Sequence, residues 1–99
     1  MNEKQFYVYI MASRENGAIY IGVTSDLIKR VYQHKNEITK GHTSKYNIKL
    51  LVHYEIYGNV EDALLREKRL KKWTRPMKND LITRQNPLWK DLYETIAFA

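Results

Sequence analysis

The sequence predicts an α+β fold: a three-stranded antiparallel sheet flanked by helices, in the order β-β-α-β-α-α, as a single domain over residues 1–99. Three observations carry this. Two alternating runs of aromatic and β-branched residues, Phe6 to Ala12 and Ala18 to Thr24, are joined by an Asn16-Gly17 pair, the mark of a hairpin. A third alternating run spans Lys49 to Tyr57. The stretches between and after them place apolar residues at helical spacing behind capping residues.

In the first strand Phe6, Val8, Ile10 and Ala12 share one face, and Tyr7, Tyr9 and Met11 the other. In the second, Ile19, Ile21 and Val23 oppose Tyr20 and Gly22. Asn16 and Gly17 both tolerate the positive φ of a tight turn. Thr24-Ser25-Asp26 supplies capping oxygens for a helix reaching about Glu37, with Leu27, Val31, His34 and Ile38 in one stripe. Thr39 to Ile48 is polar, contains a glycine and reads as a loop. Strict alternation in the third strand sets Leu50, Val52, Tyr54 and Ile56 against Leu51, His53, Glu55 and Tyr57. Asn59 caps a helix from Val60 to about Trp73, and Thr74-Arg75-Pro76 stops it and starts a shorter one reaching about Arg84. Asn86-Pro87 opens a last turn, with Leu88, Trp89 and Leu92 as packing residues. Helices covering one face of the sheet complete the arrangement.

Composition narrows the function. Seventeen Lys and Arg against 11 Asp and Glu leave a net charge of +6, which points to a polyanion, most often nucleic acid. The absence of cysteine excludes disulfides, cysteine-ligated zinc and a thiol nucleophile. No apolar run approaches the roughly 20 residues needed to cross a bilayer, and no signal-peptide core follows Met1. The cytoplasm is the expected location, with no membrane partner. Eight tyrosines accompany only 2 Phe and 2 Trp, and each buried phenol needs a polar partner.

Three clusters carry chemistry. On an ideal helix with Ala63 at 0°, Glu67 falls at about 40°, between Leu70 at about 340°, Val60 at about 60° and Leu64 at about 100°. A carboxylate in an apolar stripe must be paired, protonated or bound to a cation, because burying it alone costs several kcal/mol. An ion pair with Arg66, Lys71 or a residue of the sheet is the commoner explanation. Arg30 and His34 lie one turn apart on the first helix, a phosphate-shaped fork of donors beside a group that moves protons near neutral pH. Structural roles account for either one alone. Tyr7, Tyr9 and Tyr20 form the third cluster: Tyr9 and Tyr20 share a face near the hairpin centre beside Gly22, and a glycine inside a strand marks a close approach, although packing with the hydroxyls at the rim accounts for any single tyrosine. Together, two phenols, an arginine, a histidine and a carboxylate suit phosphodiester hydrolysis, if both helices cover the Tyr9/Tyr20 edge of the sheet.

These residues resemble the GIY-YIG endonucleases. Tyr7-Val8-Tyr9 stands for the first signature and Tyr20-Ile21-Gly22 for the second. Arg30 and His34 follow on the next helix, and Glu67 within Leu65-Arg66-Glu67-Lys68 comes on a later one. Tyr7 replaces the name-giving glycine and Val8 the isoleucine; both suit a strand and leave Tyr9 in place. Leu70-Lys71-Lys72-Trp73 and the run Asn86 to Leu92 are similar to the small stand-alone bacterial branch, so the resemblance covers nearly the whole chain.

The resemblance implies a metal-dependent endonuclease hydrolysing DNA. Tyr9 would help activate water as general base, Tyr20 position water or phosphate, and Arg30 neutralise the scissile phosphate. His34 completes the catalytic set, and Glu67 would hold one Mg²⁺ or Mn²⁺. Gly22, Lys45, Tyr46, Lys68, Lys71 and Lys72 are the expected nucleic-acid contacts. Asn79 and Asn86 both offer the downstream asparagine that some members use. Without an appended DNA-reading domain, the implied specificity is for structure rather than sequence, on branched or single-stranded DNA in repair or recombination. Two other readings remain: a non-catalytic nucleic-acid-binding module using Lys68, Arg69, Lys71 and Lys72, and an adaptor whose tail, Ile96 to Ala99, docks on a partner protein.

Overall fold

In the computed structural model, residues 4–36 and 45–98 are described. The elements are β1 (Phe6–Ala12), β2 (Ile19–Thr24), α1 (Leu27–Lys35), β3 (Leu50–Tyr57), α2 (Val60–Lys72), α3 (Arg75–Gln85) and α4 (Tyr93–Ala97). The expected α+β order holds. The predicted end of the first helix at Glu37, and the loop residues 39–44, lie outside the described residues.

The sheet order is β2-β1-β3, antiparallel throughout, so β1 is the middle strand. Every residue from Val8 to Ala12 is buried. Helices therefore cover both faces rather than the single face expected from the sequence, because a strand apolar on both sides needs cover on both. On one face Val8, Ile10, Ala12, Ile21 and Val52 pack with Ala63 and Leu70 of α2, Ile82 of α3 and Trp89. On the other, Tyr9, Met11 and Leu51 pack with Leu27 and Val31 of α1 and with Ile48. Tyr93 and Ile96 of α4 close the margin of this second core, so Ile96 is engaged within its own chain, while Phe98 stands 78% exposed.

Local departures have identifiable causes. The hairpin turn is longer than two residues: Ser13 N–H bonds to the Ala18 carbonyl at 2.9 Å. Asn16 takes the left-handed conformation at φ 57°, whereas Gly17 is needed for room, since a Cβ there would lie 2.4 Å from Ser13 Oγ. In β3 the register shifts between Ile10 and Met11, which pair with His53 and Leu51. This bulge ends the strict alternation, and Val52 and His53 are both buried. The buried stripe of α2 is narrower than the sequence pattern suggests: Ala63 and Leu70 are buried, but Leu64 is 44% exposed. Glu67 therefore sits at the border of the stripe and not at its middle. Leu88 is exposed, whereas Trp89 is buried, its indole donating to Thr83 Oγ1 at 3.0 Å. The five-residue α4 went unforeseen because no side chain caps it; Asp91 Oδ1 instead accepts from Leu51 N–H and Tyr93 N–H, each at 3.1 Å, and Asp91 pairs with Lys35.

Candidate active site

Tyr9 lies at the centre of β1, 1% exposed, directly opposite Gly22 of β2. A Cβ on Gly22 would stand 2.6 Å from Tyr9 Oη, 2.7 Å from Tyr9 Cζ and 3.0 Å from Tyr20 Cε2. The close approach that the glycine signals is thus that of a phenol ring, which lies across the space a side chain would fill. Gly22 shapes the site; its α-carbon is covered by Tyr9 rather than presented to nucleic acid.

Asp26 caps α1 by accepting from Lys29 N–H at 3.1 Å, which sets the helix on the Tyr9 face of the sheet. One turn in, α1 presents Arg30, and a turn later His34, 3% exposed. His34 Nε2 lies 3.1 Å from Tyr9 Oη. The rings of Tyr9, Tyr20 and His34 form a triangle with centroids 6.2, 5.8 and 5.3 Å apart.

Electrostatics tie the remaining residues to this triangle. Burial pushes the Tyr9 phenol well above its ordinary value, and Tyr20 and the Glu67 charge push the same way. Arg30 opposes them through its charge and a side-chain hydrogen bond. Arg30 from α1 and Glu67 from α2 therefore both act on the Tyr9 hydroxyl. Burial and then the Arg30 charge lower the His34 pKa below 6.5, so the imidazole is neutral at pH 7. A neutral imidazole and a protonated phenol share one hydrogen between them, and either can be the donor.

The five residues converge, but not by the route the sequence suggested. The two helices do not cover the same face: α1 lies on the Tyr9 side and α2 on the Val8 side. Glu67 belongs to α2, and its charge reaches the Tyr9 hydroxyl from the layer opposite α1. Its side chain is 18% exposed and pairs with Lys71 Nζ at 3.2 Å. Of the ion-pair partners the sequence offered for Glu67, Lys71 is therefore one that forms. Arg66 is engaged elsewhere, bonding Glu55 in bidentate fashion at 2.9 and 3.0 Å. Glu55 also bonds His53 Nε2 at 2.8 Å and accepts from Tyr57 Oη at 2.7 Å.

The expected nucleic-acid contacts divide. Lys71 lines a notch with Ile19, Tyr20, Ile21 and Lys78, beside the ring triangle. Lys68 and Lys72, at about 140° and 180° on the same helix wheel, are exposed and project away from the sheet. Lys45 and Tyr46 are exposed in the turn before Ile48, with Lys45 Nζ 5.5 Å from the Tyr46 ring centroid. Two cations near the site escaped the sequence reading. Lys78 lines the notch, and Lys29 joins Arg30, Thr24 and Gln33 around a polar hollow. The only available signal was the position of Lys29 next to Arg30. Of the two candidate asparagines, Asn79 bonds Arg75 and Asn16, and Asn86 bonds the backbone of Val52 and Lys90.

Fold and residue set agree with the GIY-YIG type of domain. The GIY-YIG catalytic domain matches residues 5–80, and the chain belongs to that family. Its relatives are small proteins. The UPF0213 protein CPE1444 of Clostridium perfringens (strain 13 / Type A) is 35% identical over 77 residues, 78% of this chain and 82% of the relative. The UPF0213 protein HQ_3675A of Haloquadratum walsbyi is 34% identical over 79 residues, 76% of this chain and 83% of the relative. The solution NMR structure of the UPF0213 protein BH0048 from Bacillus halodurans shares the fold with a TM-score of 0.55 at 23% identity, covering 93% of this chain and 97% of that one. Among the described residues no helix is long and apolar enough to cross a membrane.

Proposed function

We propose that the protein is a divalent-metal-dependent endonuclease that hydrolyses DNA phosphodiester bonds with Tyr9, Tyr20, Arg30, His34 and Glu67. One observation carries the reading: a buried phenol, bonded to a buried neutral histidine, feels an arginine and a carboxylate delivered from opposite faces of the sheet. Packing alone has no use for that convergence.

The donor set fits a hard, hydrated ion. Among the described residues no three His, Cys, Asp or Glu side chains cluster as a metal cage. A single carboxylate, Glu67, beside two phenols suits Mg²⁺ or Mn²⁺, which keeps most of its waters, and not Zn²⁺. When bound, such an ion relieves charge on the leaving oxygen and acidifies water. Arg30 would neutralise a non-bridging phosphate oxygen, and Tyr20 would orient the phosphate or the attacking water. Tyr9 is protonated at rest. Its high pKa makes the phenolate a strong base once formed, and the Arg30 charge reduces the cost of forming it. In the tautomer protonated at Nδ1, His34 Nε2 would accept the hydrogen bond of the Tyr9 hydroxyl and orient it.

Branched or single-stranded DNA, in repair or recombination, is the substrate setting that the family suggests for a domain of this size. The Glu67–Lys71 pair favours a second reading, a non-catalytic nucleic-acid-binding module, because it satisfies the carboxylate without a metal. Nicking of single-stranded, flapped and branched DNA with Mg²⁺ or Mn²⁺ decides between them. Cleavage by the wild type that disappears in Glu67→Ala, and drops by about 10²- to 10³-fold in a folded Arg30→Ala, supports the enzyme. Salt-dependent binding without metal-dependent cleavage supports the module.

A further inference from the structure

Glu67 already carries a cation. Lys71 Nζ sits one turn along α2, 3.2 Å from Glu67 Oε2, and the two ends of the pair differ: Glu67 is 18% exposed and Lys71 54%. The carboxylate is held in place by the fold, while the ammonium is open to solvent. An i,i+4 pair with so exposed a partner changes an equilibrium by only about twofold, so it yields readily to a stronger cation. A divalent ion at Glu67 would also repel the lysine directly, and the two cannot share the carboxylate.

The lysine has somewhere to go. It lines the notch beside Tyr20 with Lys78, whose Nζ donates to the Lys71 carbonyl at 3.4 Å. The other acidic residues of α2, Glu61 and Asp62, lie in its first turn, about 14 Å or more back along the axis, too far to take Lys71 over. An anion arriving over Tyr20 is the available partner.

Resting on the reading of Glu67 as the carboxylate that holds the divalent ion, we propose that Lys71 is the built-in counter-ion of that site. The arriving ion displaces it, and the freed ammonium joins Lys78 in binding a DNA phosphate beside Tyr20. Metal and DNA binding are thereby coupled, since Lys71 cannot serve Glu67 and a phosphate at once. By linkage, each ligand raises the affinity of the other by the same factor.

Mn²⁺ binding to the whole protein without DNA, followed by electron paramagnetic resonance, tests the displacement. Lys71→Met should bind Mn²⁺ about three- to tenfold more tightly than the wild type, from loss of a competing and repelling charge. Lys78→Met should stay within about twofold, and Glu67→Gln should lose the site. Wild-type affinity in Glu67→Gln would refute the reading of Glu67 as the ligand. Loss in Glu67→Gln with no gain in Lys71→Met, or an equal gain in Lys78→Met, would overturn the displacement and leave that reading standing. Fluorescence anisotropy of a short single-stranded oligonucleotide then tests the coupling, with Ca²⁺ in place of the catalytic ion. Ca²⁺ should raise wild-type DNA affinity severalfold more than that of Lys71→Met; equal enhancement would refute the second role.

Discussion

Replacing Gly22 with alanine probes whether the glycine inside β2 exists to seat Tyr9. The new Cβ would lie 2.6 Å from Tyr9 Oη and 2.7 Å from Cζ. An ordinary contact needs about 3.4 Å or more, so the ring must retreat by about 0.8 Å or the strands must part. Retreat is blocked, because Tyr9 is buried against Leu27 and Val31 and bonded to His34. Overpacking of this kind costs about 1–3 kcal/mol, and straining the Tyr9–His34 bond adds about 1 kcal/mol. Removing a glycine from the unfolded chain returns about 0.4–1 kcal/mol, leaving a net loss of about 2 kcal/mol. For a domain of this size that corresponds to a fall in Tm of about 8–16 °C, measurable by circular dichroism. Below the transition, cleavage should drop by about 10²-fold, because the displaced hydroxyl no longer faces its partners. A Gly22→Ala protein with wild-type Tm and wild-type cleavage would refute the account of the glycine and weaken that of Tyr9.

Two further perturbations separate the site from the scaffold. Tyr9→Phe keeps the ring and removes the hydroxyl: stability by chemical denaturation should fall by only about 1 kcal/mol, while nicking should fall by about 10²-fold or more. Glu55 lies in the scaffold. Burial alone would raise its pKa, but hydrogen bonds from His53, Arg66 and Tyr57 outweigh burial and hold it at about 2. Its folded pKa lies below the ordinary value of 4.5, so its contribution is whole above pH 4.5 and drains away as the pH falls towards about 2. Glu55→Gln should lose about 2 kcal/mol at pH 7 and show a flatter pH dependence of stability across that acid window.

The hairpin was legible because its two faces differ in chemistry: aliphatic side chains at Val8, Ile10 and Ile21, phenols and a glycine at Tyr9, Tyr20 and Gly22. Period two survives in such a pattern whatever packs on it. The bulge at Val52 was not legible, since an extra residue in a strand leaves no trace in composition. An amphipathic pattern says that a helix is covered, not by which side of a sheet, and so α1 and α2 were assigned to one face. For the same reason Glu67 could be singled out from its neighbours, while the layer that delivers it could not. Lys71 and Lys78 resemble every other surface lysine in the sequence; only the fold distinguishes them from Lys68 and Lys72.

The two layers on either side of β1 have a bearing on safety. Arg30 and His34 come from one layer and Glu67 from the other, with the thickness of one sheet between them. A nascent chain, a proteolytic fragment or a partly melted molecule that has lost either layer holds an incomplete set. On the proposed reading, the full set is thereby assembled only in the intact molecule.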